Sequence, residues 1–553
     1  MPTRFKAHPK RNALVVTAIA MAALYGRTLV FDFTHTDDST MIVENAATLS
    51  HLANLPAMFT RPLSIGFGRN EPYYRPLLTT TIMLDMAWGD LWPPAYHLDN
   101  LLLHIVAVFL VWILLTQLGF SSWWATLGTA LFATHPGLTE AVVWILGRND
   151  PLMAVGAFGS AWAFFRYLEA RRWPYLVAHA VLGLGALLSR ENAVALPVLL
   201  AGYLLLVAPP DDKRIAWRLG AAWGVVVALF GALWFSALGG QQVAGILPRI
   251  FQLLVNAPVL LMQVGKLILP LWLSPLAVKP DTPVWPGGLA LVAAAAGICF
   301  LHGRDRRLFV WGLAWTVFFL LPTLLVTDDL ISEPRIYVPA FGVVLCVITA
   351  ARAALASASQ RTVGAASALA LLVLVFFSVR AWSYADDFAG AEAFTAAAVA
   401  ASPHSALAHL NRGTVLHQAG RLDEAEAHYR TSLELDPNRL VAHNNLAIIY
   451  LRRGELSAAE AAIREELVRN PDYDKAHYNL GLILTAEGRP DEAVPELEQA
   501  IVINSANLDA LAQLVNYYNA RGDPKRVEQY LTRMQSLGVR LMPAQEGVAS
   551  PAQ

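Results

Sequence analysis

The chain has 553 residues, a formal net charge of −1, and 56% hydrophobic against 15% charged residues, with a mean hydropathy of +0.44. Its length exceeds what one core organises, so at least two domains are expected. The apolar excess excludes an ordinary soluble enzyme and fits a many-spanning membrane protein, while the near-zero charge excludes general attraction to nucleic acid.

The N-terminus carries Arg4, Lys6, Lys10 and Arg11 before an apolar run from Ala13 to Val30. No small-residue cleavage site clearly follows that run, so it reads as an uncleaved first helix with a cytoplasmic N-terminus. Further apolar segments fall at 77–92, 97–118, 122–135, 151–168, 173–188, 192–208, 216–237, 258–273, 287–301, 308–326, 336–350 and 363–380. Several are shorter than the ~20 residues of a full span, so the expected number of membrane helices is about 11–13. Cys299 and Cys346 both lie in such runs and read as buried small hydrophobes, not as a disulfide framework or zinc site.

Basic clusters set the sidedness. Arg171–Arg172, Lys213–Arg214–Arg218, Arg304–Arg306–Arg307 and Arg352–Arg361 mark cytoplasmic loops. The loops left for the outer face hold Asp37–Asp38, Asn149–Asp150, Arg190–Glu191, and Asp328–Asp329 with Glu333 and Arg335. Charges gathered at one side of a membrane domain mark a polar site more often than chance loops do.

In the first outer loop, 31–75, the pair Asp37–Asp38 suits general-base work or metal binding, because each carboxylate raises the other's affinity for a proton. The alternative is a solvated turn or helix cap. Tyr74-Arg75-Pro76-Leu77 then sets a guanidinium at the membrane face, where it can grip a phosphate with two hydrogen bonds or simply snorkel. His97, Asn100 and His104 share one helix face. That face offers either metal ligands or a hydrogen-bonded stripe between helices. His135-Pro136, Glu140, Trp144, Gly147-Arg148-Asn149-Asp150, Ser189-Arg190-Glu191 and Glu333-Pro334-Arg335-Ile336-Tyr337 follow in that order.

Beyond the membrane half, Gly420, Gly454, Gly488 and Gly522 recur with a 34-residue period, as do Pro403, Pro437 and Pro471. That period is the signature of tetratricopeptide repeats, each a helix–turn–helix unit. Ala425, Ala459 and Ala493 would let the paired helices approach, with Tyr429 packing nearby. The predicted concave face carries His409, Asn411, His443, Asn444, His477 and Asn479, with Tyr478 among them, which either bind an extended peptide or face solvent.

This ordered set resembles the transmembrane-and-tetratricopeptide-repeat family of protein O-mannosyltransferases and its bacterial relatives, within the GT-C superfamily of glycosyltransferases. The family shows an aspartate pair, Tyr-Arg-Pro-Leu, His-Leu-x-Asn-x-x-x-His, His-Pro-x-x-x-Glu, Gly-Arg-x-Asp, Ser-Lys-Glu and Glu-Arg-x-x-Tyr. Here Arg190 replaces the lysine, and Pro334 separates Glu333 from Arg335, leaving Arg335 as the better match. The resemblance implies transfer of mannose or a similar hexose from a polyprenyl-phosphate donor to a hydroxyl, by inverting displacement. Asp37 or Asp38 would be the base. Arg75, Arg190 and Arg335 would clamp the phosphate, and His97, Asn100, His104, His135, Glu140, Arg148, Asp150 and Glu191 would complete the donor site. No cofactor is certain. A divalent metal stays open, since some superfamily members use one and others do not.

The expected protein is therefore all-α: a polytopic GT-C-like membrane bundle over 1–383, a connecting helix over 384–402, four repeats over 403–538 and a disordered tail over 539–553. Its expected partners are the membrane lipid-linked donor and a protein or peptide acceptor held by the repeats. Its expected place is a bacterial inner membrane, as a multi-pass protein with the repeats on the periplasmic face. Two alternatives stand: a non-catalytic membrane-anchored repeat scaffold for an envelope complex, and a lipid-linked polysaccharide ligase or polymerase. A scaffold leaves Asp37–Asp38 and Arg75 unexplained. A ligase or polymerase would place its arginines in a large late outer loop, which this chain lacks.

Overall fold

The structure is a computed structural model that describes residues 9–34, 37–62, 73–209, 212–239, 246–325 and 330–537, with only backbone for 9–15 and 246–250. His35, Thr36, Asp328, Asp329 and the expected tail lie outside the described residues. The chain divides into two compact units, Met1–Ser405 and Ala406–Gln553. Both are all-α. Among the described residues the only strand-like feature is an isolated bridge between Val278 and Leu330.

In the first unit every apolar segment coincides with a helix, because within a bilayer a helix satisfies its own backbone polar groups. Among the described residues, five helices are long and apolar enough to cross a membrane: Pro93–Gln117, Lys213–Leu238, Gly303–Leu325, Glu333–Leu355 and Gln360–Phe388. Six shorter apolar helices accompany them. Pro76 and Pro93 open their helices, where a missing N–H costs nothing. The helix at 363–380 in the sequence reading extends to Ala385, and the connecting helix is Ala391–Ala401, begun after Gly390. The segment 192–208 starts with a 3-10 turn, Glu191–Val194, before its helix.

The core of this unit is aromatic. Phe132, Phe158, Trp315, Tyr337 and Phe341 pack with ring centroids between 5.2 and 6.2 Å apart. Helices Gly303–Leu320 and Tyr337–Leu355 touch backbone to backbone. A Cβ on Gly342 would lie 2.3 Å from the Gly312 carbonyl oxygen, so no larger residue fits there. Other helices carry apolar side chains outward, including Val225, Phe235, Leu369 and Leu372, as lipid-facing helices do. Cys346 is buried as expected, but Cys299 is exposed. Its helix, Trp285–Phe300, turns Leu289, Val292 and Phe300 outward as well, so an apolar run there does not mean burial inside the protein.

The second unit is a stack of helix pairs: Ala406–Gln418 with Leu422–Leu435, Ala442–Arg453 with Leu456–Arg469, Asp474–Ala486 with Pro490–Ile503, and Leu508–Ala520 with Pro524–Ser536. The glycine period has a backbone cause. Gly420, Gly454, Gly488 and Gly522 have φ of 76°, 77°, 76° and 68°, so each ends the first helix of its pair in the left-handed region that glycine enters without strain. Ala425, Ala459 and Ala493 are buried between paired helices, and Tyr429 is fully buried beside them.

Candidate functional site

The loop after the first helix is held by its own carboxylate. Asp38 is 0% exposed, and its Oδ2 accepts both the Thr34 backbone N–H, at 2.9 Å, and the Thr34 hydroxyl, at 2.7 Å. Asp37 is only half-buried. The two adjacent acids thus differ in environment. Asp38 closes a turn with Thr34, whereas Asp37 is less deeply buried. Phe33, Met41 and Ile42 anchor the loop in a cluster with Leu78, Ile82, Tyr96 and Leu146. The loop therefore rests on the elements that carry Arg75, just before the helix Pro76–Gly89, and Asp150, just after the turn Ile145–Arg148.

Those elements bring three distant cations together. Arg75 Nε and Nη2 each lie 3.3 Å from Glu191 Oε2, and Arg75 also covers the Tyr73 ring at 4.5 Å. Next to Glu191, Arg190 forms a buried ion pair with Asp150. Asp150, in the first turn of Asn149–Ala170, lies within electrostatic reach of Arg190, Arg75 and Arg335 together. Arg190 in turn feels Arg75 and Glu191. Glu140 also lies within electrostatic reach of Asp150, so the three guanidiniums share this region with the carboxylates of Asp150, Glu191 and Glu140. Arg75 and Arg335 are half-buried while Arg190 and Asp150 are buried, so the cluster has a floor and an open side.

A second buried network stands beneath this one. Arg148 is 0% exposed. It donates to Asp85 at 2.5 Å, to Asn100 Oδ1 at 2.8 Å and to the Tyr96 carbonyl at 2.8 Å. Asn100 donates onward to the Trp144 carbonyl at 2.8 Å. Arg148 and Asn100 therefore tie the start of Pro93–Gln117 to the 144–148 turn. His104 packs deeper, with Nδ1 2.6 Å from the Tyr337 hydroxyl and Nε2 3.3 Å from the Ala133 carbonyl. His97 is buried edge-on to Phe31. His135 caps its own turn through the Gly137 N–H and contacts the Leu267 carbonyl at 3.0 Å. Glu140 is buried and reaches the Tyr384 hydroxyl at 3.4 Å. Among the described residues no three His, Cys, Asp or Glu side chains converge as a metal-ligand group.

The motif reading left out Asp85, Lys266 and Tyr384. Lys266 is 2.6 Å from Glu333 within the protein interior. Asp85 and Lys266 each interrupt an apolar segment, and a lone charge at such a position is costly unless it is paired. That signal alone would have found both.

In the repeats, Asn479 donates to Asn444 at 2.7 Å, joining successive pairs. His477 instead bridges Glu496, at 2.6 Å, and the Pro471 carbonyl, at 2.9 Å. His409 lies against His428 with their Nδ1 atoms 3.0 Å apart. Asn411 and His443 are half-buried on the first helices of their pairs.

Comparison with known proteins follows the same division. Residues 94–236 match a family model described as dolichyl-phosphate-mannose-protein mannosyltransferase. Residues 404–467 and 444–509 match tetratricopeptide-repeat models. Protein O-mannosyl-transferase Tmtc1 of Drosophila melanogaster is 35% identical over 136 residues, 25% of this chain and 16% of that one. Protein O-mannosyl-transferase TMTC2 of Homo sapiens is 30% identical over 202 residues, 35% of this chain and 24% of that one. The chain thus spans only 16% and 24% of the length of these two relatives. A crystal structure of MamA, 21% identical, covers 28% of this chain and 92% of its own, with a TM-score of 0.25. The chain is a membrane protein carrying tetratricopeptide repeats, and its similarity to these O-mannosyl-transferases agrees with the resemblance seen in its motifs.

Proposed function

We propose that the membrane unit is a GT-C glycosyltransferase. In this reading it moves mannose or a similar hexose from a polyprenyl-phosphate donor to a hydroxyl on a protein or peptide that the repeats hold. The observation that carries this is the convergence of Arg75, Arg190 and Arg335 on Asp150, with Glu191 beside them. Guanidiniums supply the fork geometry that a phosphate accepts. The names of the similar proteins support the sugar and the protein acceptor.

Asp37, the less buried acid of the pair, is assigned as the base, with Asp38 holding the turn at Thr34. Asp37 takes the proton of the acceptor hydroxyl as its oxygen bonds to the anomeric carbon. The bond from that carbon to the phosphate oxygen breaks, and the phosphate leaves with the electron pair. The arginine cluster stabilises that developing charge. Attack and departure on opposite faces invert the anomeric centre. The basic loops support an inner-membrane protein whose first loop and repeats share the periplasmic face.

The test is to incubate purified full-length protein with polyprenyl-phosphate sugars and with proteins that co-purify with it, then to read hexose addition by mass spectrometry. Hexose on serine or threonine, lost in Asp37→Asn, is the expected result. No transfer from any such donor, with unimpaired assembly of a partner complex, would favour the scaffold.

A further inference from the structure

A buried ionic group lies beside Glu140, sharing the Tyr384 hydroxyl with it, and the reaction as drawn does not use its Lys266 and Glu333. Lys266, on the helix Ala257–Ile268, places Nζ 2.6 Å from Glu333 Oε1, and the same oxygen accepts the Ser274 backbone N–H at 2.9 Å. The other carboxylate oxygen accepts the Tyr384 hydroxyl at 2.9 Å, from the end of the last membrane helix. Gln263, one turn before Lys266, donates to the Ser332 carbonyl at 3.2 Å. Residues 332 and 333 are thus pinned from three separate elements.

Stability does not account for this arrangement. A buried ion pair roughly breaks even, because desolvation of both charges offsets their attraction. Its position does account for it. Glu333 opens the four-residue 3-10 turn Glu333–Ile336, whose one basic residue is Arg335. Pro334 between them fixes its own φ, so little play separates the pinned carboxylate from the guanidinium. Arg335, two residues after the pinned carboxylate, lies within electrostatic reach of Asp150.

We propose that Lys266 and Tyr384 are positioning residues: by clamping Glu333 they hold Arg335 in place as the third arginine of the phosphate site. This rests on reading that cluster as the site of the donor phosphate. A displacement of about 1 Å at such a site can cost on the order of 10²-fold in rate.

The experiment uses the full-length protein and a polyprenyl phosphate without sugar as the binding probe. Lys266→Met alone takes the cationic partner from the buried Glu333, and threatens the fold. The informative variant is Lys266→Met with Glu333→Met, which removes both charges at similar volume; Glu140 loses its nearby cation as well, so a melting curve on this variant precedes the binding measurement. Its affinity for the lipid phosphate should fall about 10–100-fold, as should that of Arg335→Gln, since each removes a charge-assisted contact. Combining all three substitutions should cost no more than Arg335→Gln alone. Tyr384→Phe removes only a hydroxyl and should lower kcat, with an unchanged melting temperature, and Lys266→Arg should restore part of the affinity. Wild-type affinity in the double variant, or additive losses in the triple, would overturn the positioning role. If the double variant fails to fold, Tyr384→Phe decides: wild-type kcat overturns the proposal. A wild-type protein that binds no polyprenyl phosphate at all removes the phosphate reading, and this proposal with it.

Discussion

Arg75 and Glu191 stand 116 residues apart in the chain and meet at 3.3 Å through two nitrogens of one guanidinium. The contact joins the Tyr-Arg-Pro-Leu segment to the Ser-Arg-Glu segment. Glu191 is about one-third exposed, with 32% of its side chain open. On the proposed reading, a donor phosphate would use the same guanidinium donors that Glu191 now occupies.

Replacing Arg75 should therefore act on donor binding. Arg75→Gln is expected to weaken polyprenyl-phosphate binding about 10–100-fold, from loss of one or two charge-assisted hydrogen bonds. Arg75→Lys should recover only part, because an ammonium cannot present a planar fork. Equal affinity in the lysine variant and wild type would show that only the charge matters there.

Asp37 and Asp38 should part company under mutation. Asp37→Asn is expected to lower sugar transfer by about 10²–10⁴ with the fold intact, the usual cost of a lost general base. Asp38→Ala removes the acceptor that the buried Thr34 N–H and hydroxyl share, so it should cost about 1–3 kcal/mol of stability. Melting curves and transfer rates on both variants separate the roles. An inactive but fully stable Asp38→Asn beside an active Asp37→Asn would reverse the assignment.

Much of this arrangement was legible before any coordinates. Apolar runs report helices well because a bilayer leaves the backbone few alternatives. The glycine period is visible because each turn needs a positive φ that only glycine adopts at no cost. The convergence of Arg75, Arg190 and Arg335 was reachable only through motif order, since no local spacing relates residues so far apart. The partners of Asp85 and Lys266 were not legible, because pairing through space leaves no periodic trace. Nor was the difference between Asp37 and Asp38, which depends on how the turn at Thr34 closes. Short turns such as Pro136–Leu138 and Ile145–Arg148 are too brief to show a period at all.

The charge pattern predicts where reagents can reach. In a background with Cys299→Ala and Cys346→Ala, a membrane-impermeant thiol reagent applied to intact cells should label Ser50→Cys in the first loop. It should also label Ser505→Cys in the repeats. Both serines are exposed. Ala170→Cys, exposed beside the basic Arg171–Arg172, should stay unlabelled until the cells are opened. Labelling of only one of the two outer positions would refute the shared compartment.

The last prediction concerns the division of labour, and the structure sets where to cut. Removing everything after Tyr384 would strip Phe388 and Phe394 from the core they share with Tyr384. It would also remove Ser402, whose hydroxyl donates to Ser274 at 2.8 Å. Losing buried phenylalanines costs about 3–5 kcal/mol each, so such a truncation would test stability instead of function. A chain ending at Ser405 keeps those contacts and ends where the first compact unit ends. If the repeats select the acceptor, this 1–405 protein should bind and hydrolyse the donor as the full chain does. Its glycoprotein yield should fall about 10²-fold at low acceptor concentration, because a tethered acceptor is presented at millimolar effective concentration and a free one is not. Raising a short hydroxyl-bearing peptide to millimolar levels should then restore transfer in both proteins alike. Equal yields from the two at low acceptor would mean that the repeats serve assembly or localisation, and the acceptor-binding assignment of His409, Asn411, His443, Asn444, His477 and Asn479 would fall while the membrane chemistry stood.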